Sequence, residues 1–230
     1  MATFTRRLAL LAGIILVAGG CNLTYLPFYL FGPEPKYPPE YHPLADKDKK
    51  KEVKVVILTY TGLETNPELL HADRELATYL AQHLSKLCQA NEEKVTIINQ
   101  RKVEEYKNNN PDWQQHVGDL DVIGKKFGAD WVIYLELGKM SLYKPGSADQ
   151  LYRGQASLTV SLVNVNNPDD VSLPPREITF SYPSESGGGF RLRDIDTPPH
   201  AFRREFLDAL ARRLSWQFTS HPTRDHFRCE

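Results

Sequence analysis

The sequence predicts an α/β fold: a single domain with a mixed five-stranded sheet that helices cover, followed by a C-terminal helix. Two observations lead to this prediction. Strand-like apolar runs alternate with helical periodicity in the first half of the domain, and long alternating strands follow in the second half. Strands linked through helices pair in parallel, whereas strands linked by short turns pair antiparallel, so the predicted sheet is mixed.

The first half reads as strand, helix, strand, helix and strand, beginning with the β-branched run VKVVILTY at Val53. A helix begins at Asn66 and Pro67, and its apolar residues recur every three or four positions. They are Leu69, Ala72, Leu76, Leu80, Leu84 and Leu87. KVTIIN is the second strand, Asp119 caps a short helix that Gly128 ends, and ADWVIYLEL is the third strand. Right-handed crossovers place strands two and three on either side of strand one.

The second half continues with two alternating strands, QASLTVSLVNV and REITFSY, and a last helix. The apolar faces of the strands hold Ala156, Leu158, Val160 and Leu162 on the first, and Ile178, Phe180 and Tyr182 on the second. PSESGGGF is a flexible loop. The helix begins near TPPHAF, and its buried face repeats every four residues. That face holds Phe202, Phe206, Leu210, Leu214 and Phe218, with Arg203, Arg204, Asp208 and Arg212 turned outward.

The N-terminus has the layout of an export signal. Arg6 and Arg7 precede the uncharged run LALLAGIILVAGG, which is shorter than the roughly 20 residues that span a bilayer. A following proline- and aromatic-rich segment excludes helix and central strand, and would reach at most about 90 Å. The predicted organisation is a signal peptide at 1–20, a lipid-anchored tether at 21–52, the α/β domain at 53–218 and a tail at 219–230.

The end of the signal, Ala18, Gly19, Gly20 and Cys21, resembles the lipobox of bacterial lipoprotein signal peptides. The resemblance implies cleavage before Cys21, acylation of that cysteine with chains such as palmitate, and attachment to a membrane. Some lipoproteins of inner membranes carry Asp directly after the cysteine; Asn22 stands here, which favours an outer membrane with the domain facing the periplasm. The alternative is an ordinary signal peptide with an incidental cysteine.

A second resemblance appears in GDLDVIGKKFGADWVIYLEL, where a short helix, a Gly–Ala–Asp turn and a hydrophobic strand follow one another. The passage resembles one in the curli-secretion-channel lipoproteins, the lipoprotein activators of penicillin-binding proteins and the N-terminal domain of the Tol-system propeller protein. The residues that match are Ile123, Phe127, Gly128, Ala129, Asp130 and Val132. The resemblance implies a protein that binds other envelope proteins in cell-wall synthesis or export assemblies, and it leaves a homo-oligomeric ring or pore possible.

The cysteines other than Cys21 allow two interpretations. Cys88 and Cys229 form a disulfide in an oxidising compartment, or Cys88 packs in a helix face while Cys229 is a free thiol in the tail.

Two histidine-containing groups raise the question of a metal site. His71 and Glu75 stand one helical turn apart near Asp73, but a zinc site needs a further ligand. The tail offers His221 and His226 beside Cys229, which could bind a metal weakly, but a frayed terminus explains them better. We therefore expect no metal, no cofactor and no catalytic residue.

Net charge excludes one class of partner. The chain has 28 Lys and Arg against 29 Asp and Glu, so it has no general polyanion-binding surface. The one basic cluster, on the last helix, reads as a solvated face (Arg203, Arg204, Arg212 and Arg213), and no nucleic-acid partner is expected. Trp113 and the many tyrosines either contact a partner protein or pack into the domain.

Together these features predict a non-enzymatic lipoprotein of the cell envelope. A lipid anchor at Cys21, a tether and one α/β domain would hold an interaction surface near a membrane, where it binds another envelope protein. The alternatives are an envelope hydrolase, which a cluster of His71 and Glu75 with another acid would favour, and a self-assembling secretion-channel component.

Overall fold

The computed structural model describes residues 34–46, 51–61, 67–168, 173–184, 189–193 and 197–224. The chain divides into a unit Met1–Pro35, of which only residues 34 and 35 are described, and a unit Lys36–Glu230 that contains the fold. Within the described ranges, no helix combines the length and apolar character that crossing a bilayer requires.

The described elements follow one another along the chain as strands and helices, with two 3₁₀ segments at Pro67–Leu69 and Pro111–Asp119. The helices are α1 (Ala72–Ala90), α2 (Gln100–Asn109), α3 (Leu120–Phe127) and α4 (Pro199–Ser215). The strands are β1 (Lys36–Tyr37), β2 (Val53–Thr61), β3 (Val95–Ile97), β4 (Trp131–Tyr143), β5 (Leu151–Asn164), β6 (Arg176–Tyr182), β7 (Arg191–Leu192) and β8 (His221–Pro222).

The main sheet confirms the predicted α/β class. Its strand order is β3-β2-β4-β5-β6, so the second and third predicted strands do lie on either side of the first. β2 is parallel to β3 and β4, whereas β4, β5 and β6 form an antiparallel meander. The unpredicted strand β7 pairs with the start of β5, and β1 pairs with β8 in a separate two-stranded ribbon.

Two local predictions differ from the structure. The sequence reading left no helix between the second strand and Asp119, yet α2 forms there, capped by the Asn99 side chain, which accepts a hydrogen bond from the Arg101 amide at 2.9 Å. α2 was missed because Val103 is its one fully buried residue, which gives little apolar periodicity. Asp119 does occupy the N-cap of α3, but its side chain makes no capping hydrogen bond.

The long helices also have different ends from those expected. The first begins at Ala72, after a separate 3₁₀ turn at Pro67, and the last ends at Ser215. Phe218, expected on the last helix, lies beyond it but is fully buried. The predicted apolar faces are otherwise confirmed, since the named residues of β5 and α4 are all buried in one core.

Two layers of packing cover the sheet unequally. On the inner face, Ile57, Leu135 and Val160 meet α1 and α4 in a core that extends across β2, β4 and β5. On the outer face, Leu58 and Val132 pack in a second core to which α2 and α3 contribute. This second layer covers the parallel part of the sheet and the end of β5, where Val163 packs against it. The outer face of β5 and β6 bears small polar side chains such as Ser157 and Thr179 instead.

Candidate functional site

The segment that enters the domain is fastened to it by backbone hydrogen bonds. The amide of Glu40 donates to the carbonyl of Trp216, those of Tyr41 and His42 to Gln217, and that of Leu44 to Phe218, at 3.0–3.1 Å. These bonds line the segment up against the chain that leaves α4. The Leu44 side chain is 1% exposed, so this contact also buries apolar surface. We call residues 36–44 the strap.

Side chains strengthen the strap at its centre. The Arg213 Nη1 donates to Glu40 Oε1 at 2.7 Å, and the Gln217 amide donates to Glu40 Oε2 at 2.6 Å. Burial works to raise the pKa of Glu40, but these two hydrogen bonds and the Arg213 charge outweigh it and hold that pKa below its usual value. At the first residue of the strap, Lys36 Nζ donates to Asn91 Oδ1 at 2.6 Å.

The strap marks one end of the domain, and α1 connects that end to the opposite one. Asn91 is the residue that follows α1, whereas Leu70 lies just before its start. The 19 residues of α1 separate these two points by about 28 Å, because an α-helix rises 1.5 Å per residue. α4 runs in the same direction, since its early residue Arg203 donates to the Leu70 carbonyl at 2.8 Å and to Glu75 at 2.6 Å. We call this second end the hairpin end because the β4–β5 connection lies there.

An exposed apolar patch with two cations lies at the hairpin end. Phe190 and Leu192 are 42% and 68% exposed, and Leu192 pairs with Leu151 through the β5–β7 ladder. The ammonium of Lys144 lies 4.9 Å from the centre of the Phe190 ring, and the guanidinium of Arg193 lies 5.6 Å from the centre of the Tyr143 ring. We call Lys144, Phe190, Leu192 and Arg193 the hairpin patch.

The patch rests on a stacked aromatic layer. The ring of Tyr143 stacks on Tyr152 at 5.5 Å, and Tyr152 stacks on Phe202 at 4.5 Å. The Tyr143 hydroxyl donates to Glu68 Oε1 at 2.9 Å. Burial, followed by the bond to the Glu68 carboxylate, raises the pKa of Tyr143 to about 12. The patch is therefore supported by a stacked layer in which the Tyr143 hydroxyl is protonated at neutral pH.

The sequence analysis missed this patch because it assigned PSESGGGF, which ends at Phe190, to a flexible loop. The signal was present in Phe190 and the next three residues, Arg191, Leu192 and Arg193, which alternate apolar and basic side chains. Strand pairing of β7 with β5 gives that alternation a fixed geometry.

The cysteines are placed as follows. Cys88 is buried on the inner side of α1, where burial, with the Glu93 carboxylate nearby, raises the pKa of its thiol to about 12. A thiol with this pKa and no exposure is a poor nucleophile at neutral pH. Cys21 and Cys229 lie outside the described residues, so lipidation at the first and pairing of the second with Cys88 remain predictions.

The residues considered for a metal site have separate partners. Glu75, expected beside His71, instead binds Arg203 at 2.6 Å, and Asp73 faces Lys107 at 3.5 Å. His71 itself occupies the N-cap of α1 in a left-handed conformation, with φ of 62°. In the part of the chain that is described, no three His, Cys, Asp or Glu residues come together as metal ligands would.

The histidines of the tail and the aromatic residue Trp113 are also accounted for. His221 is fully buried in β8 and stacks on the Trp216 ring at 4.5 Å, while His226 lies outside the described residues. Trp113, considered as a partner contact, is buried in the outer core with its ring edge-on to Tyr60. These side chains stabilise the fold.

The arginines of α4 are largely neutralised by carboxylates. Arg203 binds Glu75, Arg212 binds Asp208 at 3.0 Å, and Arg213 binds Glu40. Paired in this way, they do not form the continuous positive stripe that nucleic acid requires.

Comparisons with known proteins give distant likenesses only. No protein-family model matches the chain, and no curated protein matches it. Among solved structures, lipoprotein GNA1162 from Neisseria meningitidis is 16% identical, with 59% of this chain and 88% of that one covered and a TM-score of 0.38. The PelC dodecamer from Paraburkholderia phytofirmans is 13% identical, with 73% and 88% covered and a TM-score of 0.35. The LpoB C-terminal domain from Salmonella enterica is 14% identical, with 56% and 82% covered and a TM-score of 0.32.

Proposed function

We propose that the chain is a non-enzymatic lipoprotein of the cell envelope, anchored through Cys21, whose domain binds another envelope protein in a cell-wall synthesis or export assembly. The observation that supports this proposal most directly is the strap. A segment that follows a lipobox-like cysteine closely is fastened to one end of a domain that exposes an apolar patch at its other end.

The strap limits how far the domain can stand from its anchor. Cys21 precedes Lys36 by fifteen residues, which extend to about 50 Å at most. A free tether up to residue 52 would have allowed about 90 Å. In this proposal the chain that carries the anchor enters the domain at the strap end. Asn22 supports an outer-membrane location facing the periplasm.

The competing hydrolase proposal depended on a particular cluster of side chains. It required His71 and Glu75 to meet a further acidic group in a pocket. In the described residues Glu75 is engaged by the guanidinium of Arg203 instead. An adaptor therefore agrees better with the observed contacts.

The anchor is tested by metabolic labelling of cells with a clickable palmitate analogue. We expect label on the wild-type chain and on Cys229→Ser, and none on Cys21→Ser. Label that persists in Cys21→Ser would contradict the anchor at that position. Membrane fractionation of the same cells distinguishes an inner from an outer location.

The adaptor role is tested by in-cell crosslinking of the same variants. We expect one envelope protein of cell-wall synthesis or export to crosslink to the wild type and to Cys229→Ser, and the yield to fall at least tenfold in Cys21→Ser. Absence of any specific crosslink, or a large detergent-stable species containing this chain alone, would overturn the adaptor in favour of a ligand-binding or self-assembling role.

A further inference from the structure

We propose that the hairpin patch is the docking surface for a protein segment that presents acidic side chains beside an apolar one. The proposal rests on the adaptor function above and specifies the chemistry of the partner. Four observations carry it: unmatched positive charge, concentrated apolar exposure, a preorganised backbone and the position of the patch in the fold.

The two cations of the patch lack carboxylate partners within the described ranges, whereas neighbouring arginines have them. Arg191, between Leu192 and Phe190, binds Glu205 at 2.7 Å, and Arg203 binds Glu75. Among the described residues, the side chain of Lys144 lies over the Phe190 ring, and that of Arg193 lies over the Tyr143 ring and donates to the Asp149 carbonyl at 3.5 Å. An arriving carboxylate would therefore gain a charge-assisted hydrogen bond without breaking an existing ion pair.

Apolar exposure is concentrated at the same end of the domain. The large hydrophobic side chains that the described part of the chain exposes are Tyr37, Leu70, Val122, Phe190 and Leu192. Three of them belong to the hairpin end, and Leu192 is the most exposed of all. An exposed apolar patch that contains an aromatic side chain with arginine nearby is typical of protein interfaces.

The backbone of the patch is already ordered for binding. The amide of Arg193 donates to the Gln150 carbonyl, and that of Lys144 to the Leu151 carbonyl, each at 2.9 Å. The hydroxyl of Tyr152 beneath them donates to the Thr197 carbonyl at 2.8 Å. A surface fixed in this way loses little conformational entropy on binding, which favours affinity.

A membrane surface is the other occupant that this chemistry fits, because anionic lipids also attract cations beside apolar side chains. The strap argues against it. The anchor-proximal segment joins the domain about 28 Å away along α1, at the opposite end. A protein that reaches the end of the domain opposite the strap is therefore the occupant that we infer.

The experiment uses full-length anchored protein in cells, with a photo-crosslinking amino acid at position 192 and, separately, at the exposed Val122 on α3. The crosslinked peptide is identified by mass spectrometry. The charge-reversal pair Lys144→Glu and Arg193→Glu is compared with Lys86→Glu and Lys102→Glu, which change the same net charge at exposed sites elsewhere. Thermal unfolding of both double variants verifies that they fold.

We expect position 192, but not 122, to crosslink to a peptide rich in Asp and Glu, and the Lys144/Arg193 pair to lower the yield at least tenfold while the control pair does not. Capture that occurs elsewhere on the domain and ignores this charge reversal would overturn the docking surface while leaving the adaptor function intact. A crosslink between two copies of this chain would overturn the acidic partner. If the wild type sediments with phosphatidylglycerol vesicles and the Lys144→Glu, Arg193→Glu double variant does not, the protein partner would be overturned in favour of a membrane surface.

Discussion

The parallel and antiparallel parts of the sheet differ in what covers their outer faces. In β2, the inner residues Val55 and Ile57 and the outer residues Val56 and Leu58 are all fully buried. In β5 the inner residues are buried while the outer ones remain partly exposed, which gives strict alternation from Leu151 to Val163. The difference shows that the route of the chain, not the strand itself, decides whether one face of a strand is open.

The crossovers explain the difference. Passing from β3 to β4 requires a connection over the sheet, and that connection supplies α2 and α3 to the outer face. In the described residues, the connections between β4, β5 and β6 contain no helix. The boundary coincides with a β-bulge, where Gly138 and Lys139 together oppose Ser157. Beyond the bulge the outer face is polar.

Removing a large outer side chain from the covered part tests this contrast most strongly. Leu58→Ala should lower the free energy of unfolding by about 2–5 kcal/mol, because it leaves a cavity between the sheet and its outer layer. Thr179→Ala, on the open outer face of β6, should change it by no more than about 0.5 kcal/mol. Urea unfolding measures both. Similar losses in the two variants would mean that a partner or a second copy covers the antiparallel part as well.

Two lysines, one under the outer layer and one on the open face, test the same contrast for charged side chains. Lys107, 10% exposed in the outer layer, binds Glu104 at 2.8 Å, faces Asp73 at 3.5 Å and lies over the Trp113 ring. Lys107→Met would remove the cation that faces Asp73 and Glu104, of which only Glu104 keeps another cation in the described residues, Arg74 at 2.7 Å, at a cost of about 2 kcal/mol. Lys139→Met, on the open face, should be neutral within about 0.5 kcal/mol. Chemical denaturation checks both, and an unchanged stability of Lys107→Met would show that the ion pairs do not contribute.

The sequence predicted the inner half of this architecture better than the outer half. Apolar periodicity is strong where α1, α4 and β5 face one core, and it placed Leu80 and Leu158 correctly. α2 went unrecognised because a helix that covers part of a sheet needs few apolar residues. Ion pairs such as that of Glu75 with Arg203 join residues 128 positions apart, and no local pattern encodes them. The hairpin patch depends on the short ladder of β7 with β5, a tertiary contact that local periodicity does not reveal.

Alkaline pH should lower the stability of the domain through Tyr134. This is the last residue of β4 that the outer layer of α2 and α3 buries. Burial, and then the charge of the exposed neighbour Glu136, raise the pKa of Tyr134 above the ordinary 10.0. The unfolded chain therefore loses this proton first, so stability that is complete below about pH 10 falls as pH rises further, by at most about 1.4 kcal/mol per unit. Tyr134→Phe should make the loss of stability with pH smaller. Unfolding experiments from about pH 9 to about pH 11 measure this difference. An equal slope in both proteins would show that Tyr134 is hydrated.

The smallest expected change in stability concerns the strap. It contacts both β6 and β4 at one end of the sheet. Arg176 of β6 donates to the Glu40 carbonyl at 2.7 Å, and the His42 ring lies 4.9 Å from that of Trp131 in β4. Glu40→Gln removes the charge that Arg213 and Gln217 stabilise, and because the pair is partly exposed it should cost at most about 1 kcal/mol.

The lowered pKa of Glu40 also predicts that acid weakens the attachment of the strap. Stabilisation of the strap is complete above the ordinary carboxyl value of 4.5 and is lost as pH falls below it toward the folded-state pKa. Protection factors for the amides of Tyr41, His42 and Leu44, from hydrogen exchange, should fall over that range in the wild type and stay nearly constant in Glu40→Gln. If protection falls equally in both, the carboxylate is not the group that holds the strap. The backbone bonds and the burial of Leu44 would then carry the attachment, and the link between anchor and domain would be insensitive to the pH of its compartment.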